Sequence, residues 1–263
     1  MYKRQLKGGG LVQRTRAERI VSLVISDVVG DPLNVIASGP TVPDPSTPTD
    51  ALAILKPLMN QVPQSVLDVL NSVDVEPLAD FAHVTNCIIG NNQTAITACT
   101  HRARELGYSV VNNGSGTTGI ARDVGRDLAI QSRDARDQRQ GPLCILSGGE
   151  PTVGLVPESD RGQGGRNQEL ALAALVALAG DMQSLAILSG GTDGEDGPTD
   201  AAGGVVTSET LHLAKTAGLD ASAFLERNDA YPFLDATDSL LRTGPTHTNV
   251  MDVRVVLIDG PQP

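Results

Sequence analysis

Short runs of aliphatic and β-branched residues alternate along this chain with segments whose apolar residues recur at helical spacing, and no other feature restricts the fold as much. Strands alternating with helices argue for an α/β protein of mostly parallel sheets, in two α/β layers. Ile20–Ser26, His83–Ile89, Tyr108–Val111, Leu143–Leu146, Leu185–Leu188 and Asn249–Ile258 read as strands. Helical patterns cover a stretch ending near Asn60, one that Pro63 opens in its first turn, and the series Ile96, Cys99, Ala103, Leu106. Further helices are expected at Ile120–Ala129, Asn167–Ala179 and around 208–217 and 229–241. Residues 131–141, QSRDARDQRQG, read as a polar linker and the best domain boundary.

Composition agrees with that reading. With 28 Gly, three Phe and no Trp in 263 residues, the core must be packed from Ala, Val, Leu and Ile between tight loops. A net charge of −11 argues against general nucleic-acid binding, which needs a basic footprint. It also means that an anion site must be built locally. Cys87, Cys99 and Cys144 are odd in number and lack metal-like spacing, so they read as free thiols. The start, MYKRQLKGGG, lacks the apolar run of a signal peptide, and the longest apolar run, Leu170–Ala179, is about half a membrane span. A cytoplasmic protein without a membrane partner is expected.

Two strands end in the same words, Cys144-Ile145-Leu146-Ser147-Gly148-Gly149 and Ala186-Ile187-Leu188-Ser189-Gly190-Gly191. Ligands of α/β sheets bind beyond the carboxyl ends of strands, so these tips direct attention to the loops after them. Segment 189–200, SGGTDGEDGPTD, holds four Gly, four acidic residues and three hydroxyls. Asp193 and Asp196 offer hard oxygen ligands, and Thr192 and Thr199 hydroxyls suited to phosphate; a solvated turn is the plainer reading. Segment 162–169, GQGGRNQE, runs into an apolar helix. Helix-start N–H groups attract anions there, Arg166 could add a bidentate clamp, and Asn167 and Gln168 supply neutral donors. Glu169 suits a metal or simply the first helical turn. Segment 26–44 sets Asp27, Asp31 and Asp44 around Ser38-Gly39-Pro40-Thr41, which fits either turns or Mg²⁺–phosphate recognition.

Other signals are absent or weak. The P-loop pattern G-x-x-x-x-G-K-S/T is missing. Gly114–Gly119 matches G-x-G-x-x-G, yet the next strand ends in Ser147 rather than in the acid that would hold a ribose. His83, His101, His212 and His247 make no zinc pattern, and no serine sits in a G-x-S-x-G elbow.

The strings ISDVVGD, IASGPTVPDPST, SGGEPTV, GRNQELALA, SGGTDGEDGPTDAAGG, RNDAY and TGPTHTNVMD, in that order, resemble the glycerate 2-kinase family with a C-terminal MOFRL domain. The resemblance spans nearly the whole chain. It implies ATP-dependent phosphorylation of D-glycerate to 2-phosphoglycerate with Mg²⁺, and two α/β domains around a cleft lined by glycine-rich strand-to-helix loops. Residues 1–140 would be the remainder of a Rossmann-like kinase domain and 141–263 the MOFRL-type domain. Family members begin with a larger region that supplies a catalytic lysine and a glycine-rich loop, whereas this chain starts at a segment like the family's later Lys7-Gly8-Gly9, so the N-terminal part is expected to be missing. His247 and Ala230 stand where the family more often has Gly and Ser.

On that resemblance, Arg166 clamps a transferring phosphoryl group or the glycerate carboxylate, and Asp193, Glu150 and Asp196 attend Mg²⁺. Ser147, Gly148 and Gly149, with Ser189, Gly190, Gly191 and Thr192, present donors to substrate oxygens. Asn167, Gln168, Thr246, Thr248, Asn249 and Lys7 add polar contacts. A homodimer is compatible with this reading. Two other functions stay open: an NAD-dependent hydroxypyruvate reductase, a label some family members carry, and a non-catalytic binding remnant.

Overall fold

A computed structural model describes residues 5–72, 81–138 and 141–259. It separates into two compact units, one formed by the described residues up to Val24 with Asp31–Ile88, the other by Ile25–Gly30 and the described residues from Ile89 onward.

The first unit carries helix α1 (Gly10–Arg14), most of strand β1 (Ile20–Ile25), helices α2 (Pro48–Leu55) and α3 (Gln64–Ser72), and most of strand β2 (Val84–Gly90). Thr47 caps α2, accepting from the Asp50 N–H while the Asp50 carboxylate accepts from the Thr47 N–H, and Pro48 supplies the preset first turn. β1 and β2 form a two-stranded sheet in which Val21 and Leu23 are 55% and 65% exposed.

The second unit holds the main sheet. Along the chain come α4 (Asn92–Glu105), β3 (Ser109–Asn112), α5 (Ala121–Gln138), β4 (Leu143–Gly149), α6 (Arg166–Ala177), β5 (Leu185–Gly191) and β6 (Gly203–Val206). There follow α7 (Ser208–Ala217), α8 (Ala221–Glu226), α9 (Ala230–Ala236), β7 (Leu240–Leu241) and β8 (Asp252–Ile258). The sheet order is β3-β4-β8-β5-β6-β7. β3, β4, β5 and β7 run in one direction while β6 and β8 run against them, so β3 and β4 pair parallel and the neighbouring pairs from β4 to β7 are antiparallel. One face, with Ile145, Ile187, Val256 and Ile258, packs on α5, α6 and α9. The other, with Cys144, Leu146 and Val255, packs on α4 through Ile96 and Ala103. All three cysteines are free thiols, and burial pushes Cys144 up to about 11.

Several expectations need correction. Residues 131–138 are the last turns of α5, not a linker: Gly125, Leu128, Ala129 and Ser132 are buried at helical spacing and Ala135 packs on the core. Arg136 then ties the helix to Asp181 through bonds of 2.8 and 2.7 Å. The helix expected over 229–241 stops at Ala236, and Leu240–Leu241 is strand. β6 and α8 had no expected counterpart.

Candidate active site

The two echoed strand ends flank the same stretch of β8 in the same register. Asp252 lies opposite Gly149 on one side and Gly191 on the other, and Arg254 opposite Ser147 and Ser189. Strand alternation puts Asp252 and Arg254 on the face of Val256 and Ile258, the one α6 covers. Both charged residues are completely buried.

Arg166 is the first residue of α6. Its Nε and Nη2 donate to the two carboxylate oxygens of Asp252 at 2.7 and 2.9 Å, and its Nη1 lies 3.1 Å from Glu150 Oε1. These carboxylates raise its already high pKa, the Asp252 hydrogen bonds most of all. The helix start is fixed by Asp196, which accepts from the N–H groups of Asn167 and Gln168 at 3.1 and 2.9 Å. Burial is the main reason that Asp196 is raised to about 6, against those hydrogen bonds. Ser189 donates to Asn167 Oδ1 at 2.6 Å, and Gln168 Nε2 donates to Thr199 Oγ1 at 2.8 Å. Glu169, expected for a metal or the first turn, is buried and accepts from Arg122 Nε and Asn228 Nδ2 at 2.9 and 2.7 Å, so it braces the core.

An open pocket of about 460 Å³ brings together Arg166, Asp193, Glu195 and Asp196, floored by Gly164 and Gly165. Every residue lining it belongs to the second unit. Ser147 lines a different hollow of about 240 Å³, with Asn113, Thr117, Thr118 and Gln131 of the G-x-G-x-x-G turn and α5. Lys7 is an exposed turn residue of the first unit.

The donors expected at the strand tips are spent inside the protein. Gly148 and Gly149, like Gly190 and Gly191, lie within β4 and β5 rather than in loops. The N–H groups of Gly148, Gly191 and Thr192 bond to the carbonyls of Gly114, Ala202 and Met251. Thr192 Oγ1 donates to Met251 O at 2.7 Å, Thr246 Oγ1 to Thr192 O at 2.6 Å, and Asn249 Oδ1 accepts from Met251 N–H at 2.9 Å. Thr248 accepts through its carbonyl from Thr246 Oγ1 at 3.2 Å, so this group stitches two loops together. His247 takes a φ of 61°, in the left-handed region that favours glycine.

A resident magnesium site does not fit these residues. Asp196 is committed to α6 and Glu150 to Arg166, and no group of three His, Cys, Asp or Glu side chains among the described residues could hold a metal. Asp193 differs: its Oδ1 accepts from the Glu195 N–H at 3.1 Å, and it has no ion pair among the described residues. One such carboxylate suits a metal that arrives on phosphates.

Sequence reading missed Asp252, Arg254 and Asn92. Two charges at period two in an otherwise apolar strand, D-V-R-V-V-L-I, were the available signal for the first pair. Asn92 Nδ2 donates to the carbonyls of Val250 and Asp252 at 2.7 and 2.9 Å, fixing the entry of β8.

Comparison with known proteins bears on this geometry. The MOFRL family model matches residues 143–252, and a domain of unknown function (DUF4147) matches residues 3–71. The chain is 38% identical to glycerate kinase of Danio rerio, covering 96% of this chain and 61% of that protein. It is also 38% identical to glycerate kinase of Macaca fascicularis, covering 97% and 76%. A putative hydroxypyruvate reductase of Agrobacterium vitis is 40% identical, covering 96% and 58%. The crystal structure of glycerate kinase from Thermotoga maritima superposes with a TM-score of 0.86 at 38% identity, over 97% of this chain and 60% of the other. The chain thus spans about three fifths of the length of several relatives. Among the described residues, no helix is long and apolar enough to cross a membrane. With its pocket, its sheet and these matches, the chain belongs to the glycerate kinase family that carries a MOFRL domain.

Proposed function

We propose that the chain acts in ATP-dependent phosphorylation of D-glycerate at its 2-hydroxyl, with Mg²⁺ entering on the nucleotide's phosphates. The observation that carries this reading is the single pocket holding Arg166 beside Asp193, in a chain whose relatives are named glycerate kinase. The substrate 2-hydroxyl oxygen forms a bond to the γ-phosphorus, the bond from that phosphorus to the β–γ bridging oxygen breaks, the hydroxyl proton passes to water, and ADP leaves. Such a reaction needs little covalent work from the protein, so positioning and charge neutralisation dominate. Arg166, at a helix start whose dipole also favours negative charge, clamps the carboxylate or the phosphoryl group. Asp193 is the carboxylate left to position the metal-bearing phosphates. Residues 141–263 supply the MOFRL-type part of the catalytic assembly, and α4, β3 and α5 of the same compact unit complete its sheet and covering layers. Free thiols at Cys87, Cys99 and Cys144 suit a reducing cytoplasm.

A coupled assay of ADP release with D-glycerate, run beside nicotinamide absorbance with hydroxypyruvate, tests the reading. Turnover in the first is expected, and Arg166→Ala should lower kcat/KM by about 10²–10³. Nicotinamide oxidation, or a loss under about threefold for Arg166→Ala, would reject it. ATP or glycerate binding without turnover would identify this chain as a binding half only.

A further inference from the structure

The Nε–Nη2 edge of Arg166 is already occupied. Nε and Nη2 each donate to Asp252 and Nη1 lies 3.1 Å from Glu150, so the side-on Nε–Nη2 edge can grip an incoming anion only when Asp252 lets go. Two residues along the same face of β8, Arg254 is in the opposite condition. It is completely buried, and among the described residues Nε, Nη1 and Nη2 all lack a hydrogen-bond partner. A sealed guanidinium without a partner is one of the costliest groups a protein can keep. Burial brings it down to about 10, with Asp252 opposing that effect and Arg166 adding to it. Asp252 therefore sits within electrostatic reach of two guanidiniums and is bonded to one. An arginine whose side-on edge is taken and an arginine with no hydrogen-bond partner share one carboxylate.

We propose that Asp252 changes partner when a small anion binds: it releases Arg166 to the anion and re-pairs with Arg254, so the buried carboxylate always keeps a counter-ion. Without Arg254, freeing Arg166 would strand a fully buried carboxylate, and the anion's own binding would have to offset that. Arg254 is thus a positioning residue that acts through Asp252 and does not touch the anion. The inference rests on the reading that Arg166 handles an anionic substrate group.

The test is a double-mutant cycle by isothermal titration with two probes, D-glycerate and inorganic phosphate, using wild type, Arg254→Gln, Asp252→Asn and the double variant. Arg254→Gln is expected to weaken both anions by about 10- to 100-fold, and to change Kd by less than about threefold once Asp252 is already Asn. The same loss in both backgrounds would mean that Arg254 contacts the anion directly. A lower Tm with unchanged Kd would make its role structural. Either result overturns the exchange. Phosphate binding with the expected coupling but no glycerate binding rejects the substrate and keeps the exchange; a wild-type chain that binds neither rejects both. Should Arg254→Gln fail to fold, a crystal structure of the wild-type chain with phosphate in the pocket decides. Asp252 is then expected within about 3.2 Å of an Arg254 nitrogen, and an Asp252 still bonded to Arg166 Nε and Nη2 refutes the proposal.

Discussion

Replacing Asp196 with Asn separates an anchor of α6 from a metal ligand. Asp196 is 3% exposed, and its carboxylate takes the N–H groups of Asn167 and Gln168, two of the donors that a helix start leaves without intrahelical partners. Asn keeps one acceptor oxygen and turns an NH2 toward the other donor. One buried N–H is then left without an acceptor, which costs about 1–3 kcal/mol. Each kcal/mol lowers Tm by about 2–4 °C in a protein of this size class. The pH dependence is the sharper test. The folded-state value of about 6 lies above the ordinary 3.8, so between these values the folded protein holds a proton that the unfolded chain has lost. This group's contribution is therefore fully present below the unfolded value and declines as pH rises through about 6. Moving from about pH 7.5 to about pH 5 recovers about 1.4 kcal/mol in wild type, one pKa unit's worth, and nothing at this position in the variant. Urea unfolding at the two pH values should therefore show a penalty larger by that amount at the acid one. A penalty equal at both, or larger near neutrality, would refute the reasoning. Millimolar Mg²⁺ should leave it unchanged, and an Mg²⁺-dependent penalty would restore Asp196 as a ligand.

Three further outcomes follow from the packing. Gly125→Ala puts a Cβ 2.3 Å from the Leu170 carbonyl oxygen, where α5 crosses α6, and overpacking there should cost about 1–3 kcal/mol; an unchanged melting curve would contradict that contact. Arg136→Ala removes the ties to Asp181 and should lower amide protection in residues 131–138 while costing about 1 kcal/mol globally. If protection there is already absent in wild type, the C-terminal turns of α5 are not stable in solution. The exposed Val21 and Leu23 of β1 should bind a hydrophobic dye, and Leu23→Lys should reduce its fluorescence; no signal from wild type would mean that this face is covered in solution.

What could be read from the sequence divides along physical lines. β4, β5 and α6 were legible because their apolar runs are long and end in glycine or begin after it. The end of α5 was not, because its core-facing positions are the small Ser132 and Ala135, which leave a polar string with a hidden period. The direction of β8 was hidden for another reason. Parallel pairing needs a long crossover, but loops without a helix join β5 to β6 and β7 to β8, so the alternation of strand and helix does not reach the two reversed strands. In the site, a glycine-rich run before a helix made Arg166 and its neighbours visible. That Asp196 caps this helix was invisible, since cap and helix lie 28 and 29 residues apart.

That antiparallel insertion also changes what the repeated Ser-Gly-Gly ends mean. As loops they would be twin phosphate cradles, each with its own ligand. As strands on either side of β8 they are neighbours of the same two charges, in the same register. The two glycines opposite Asp252 answer to different neighbours: a Cβ at 149 would meet the Thr117 backbone, and one at 191 the Asp193 carboxylate and the Glu195 carbonyl. Serine at 147 and 189 is small enough to leave room for the Arg254 side chain between them. Glycine weakens a strand interior, so two such runs in paired strands call for a compensating gain. Close loop packing supplies one on each side, Thr117 against the end of β4 and the 193–195 turn against the end of β5, while the shared register sets both strand ends beside the same charged pair of β8.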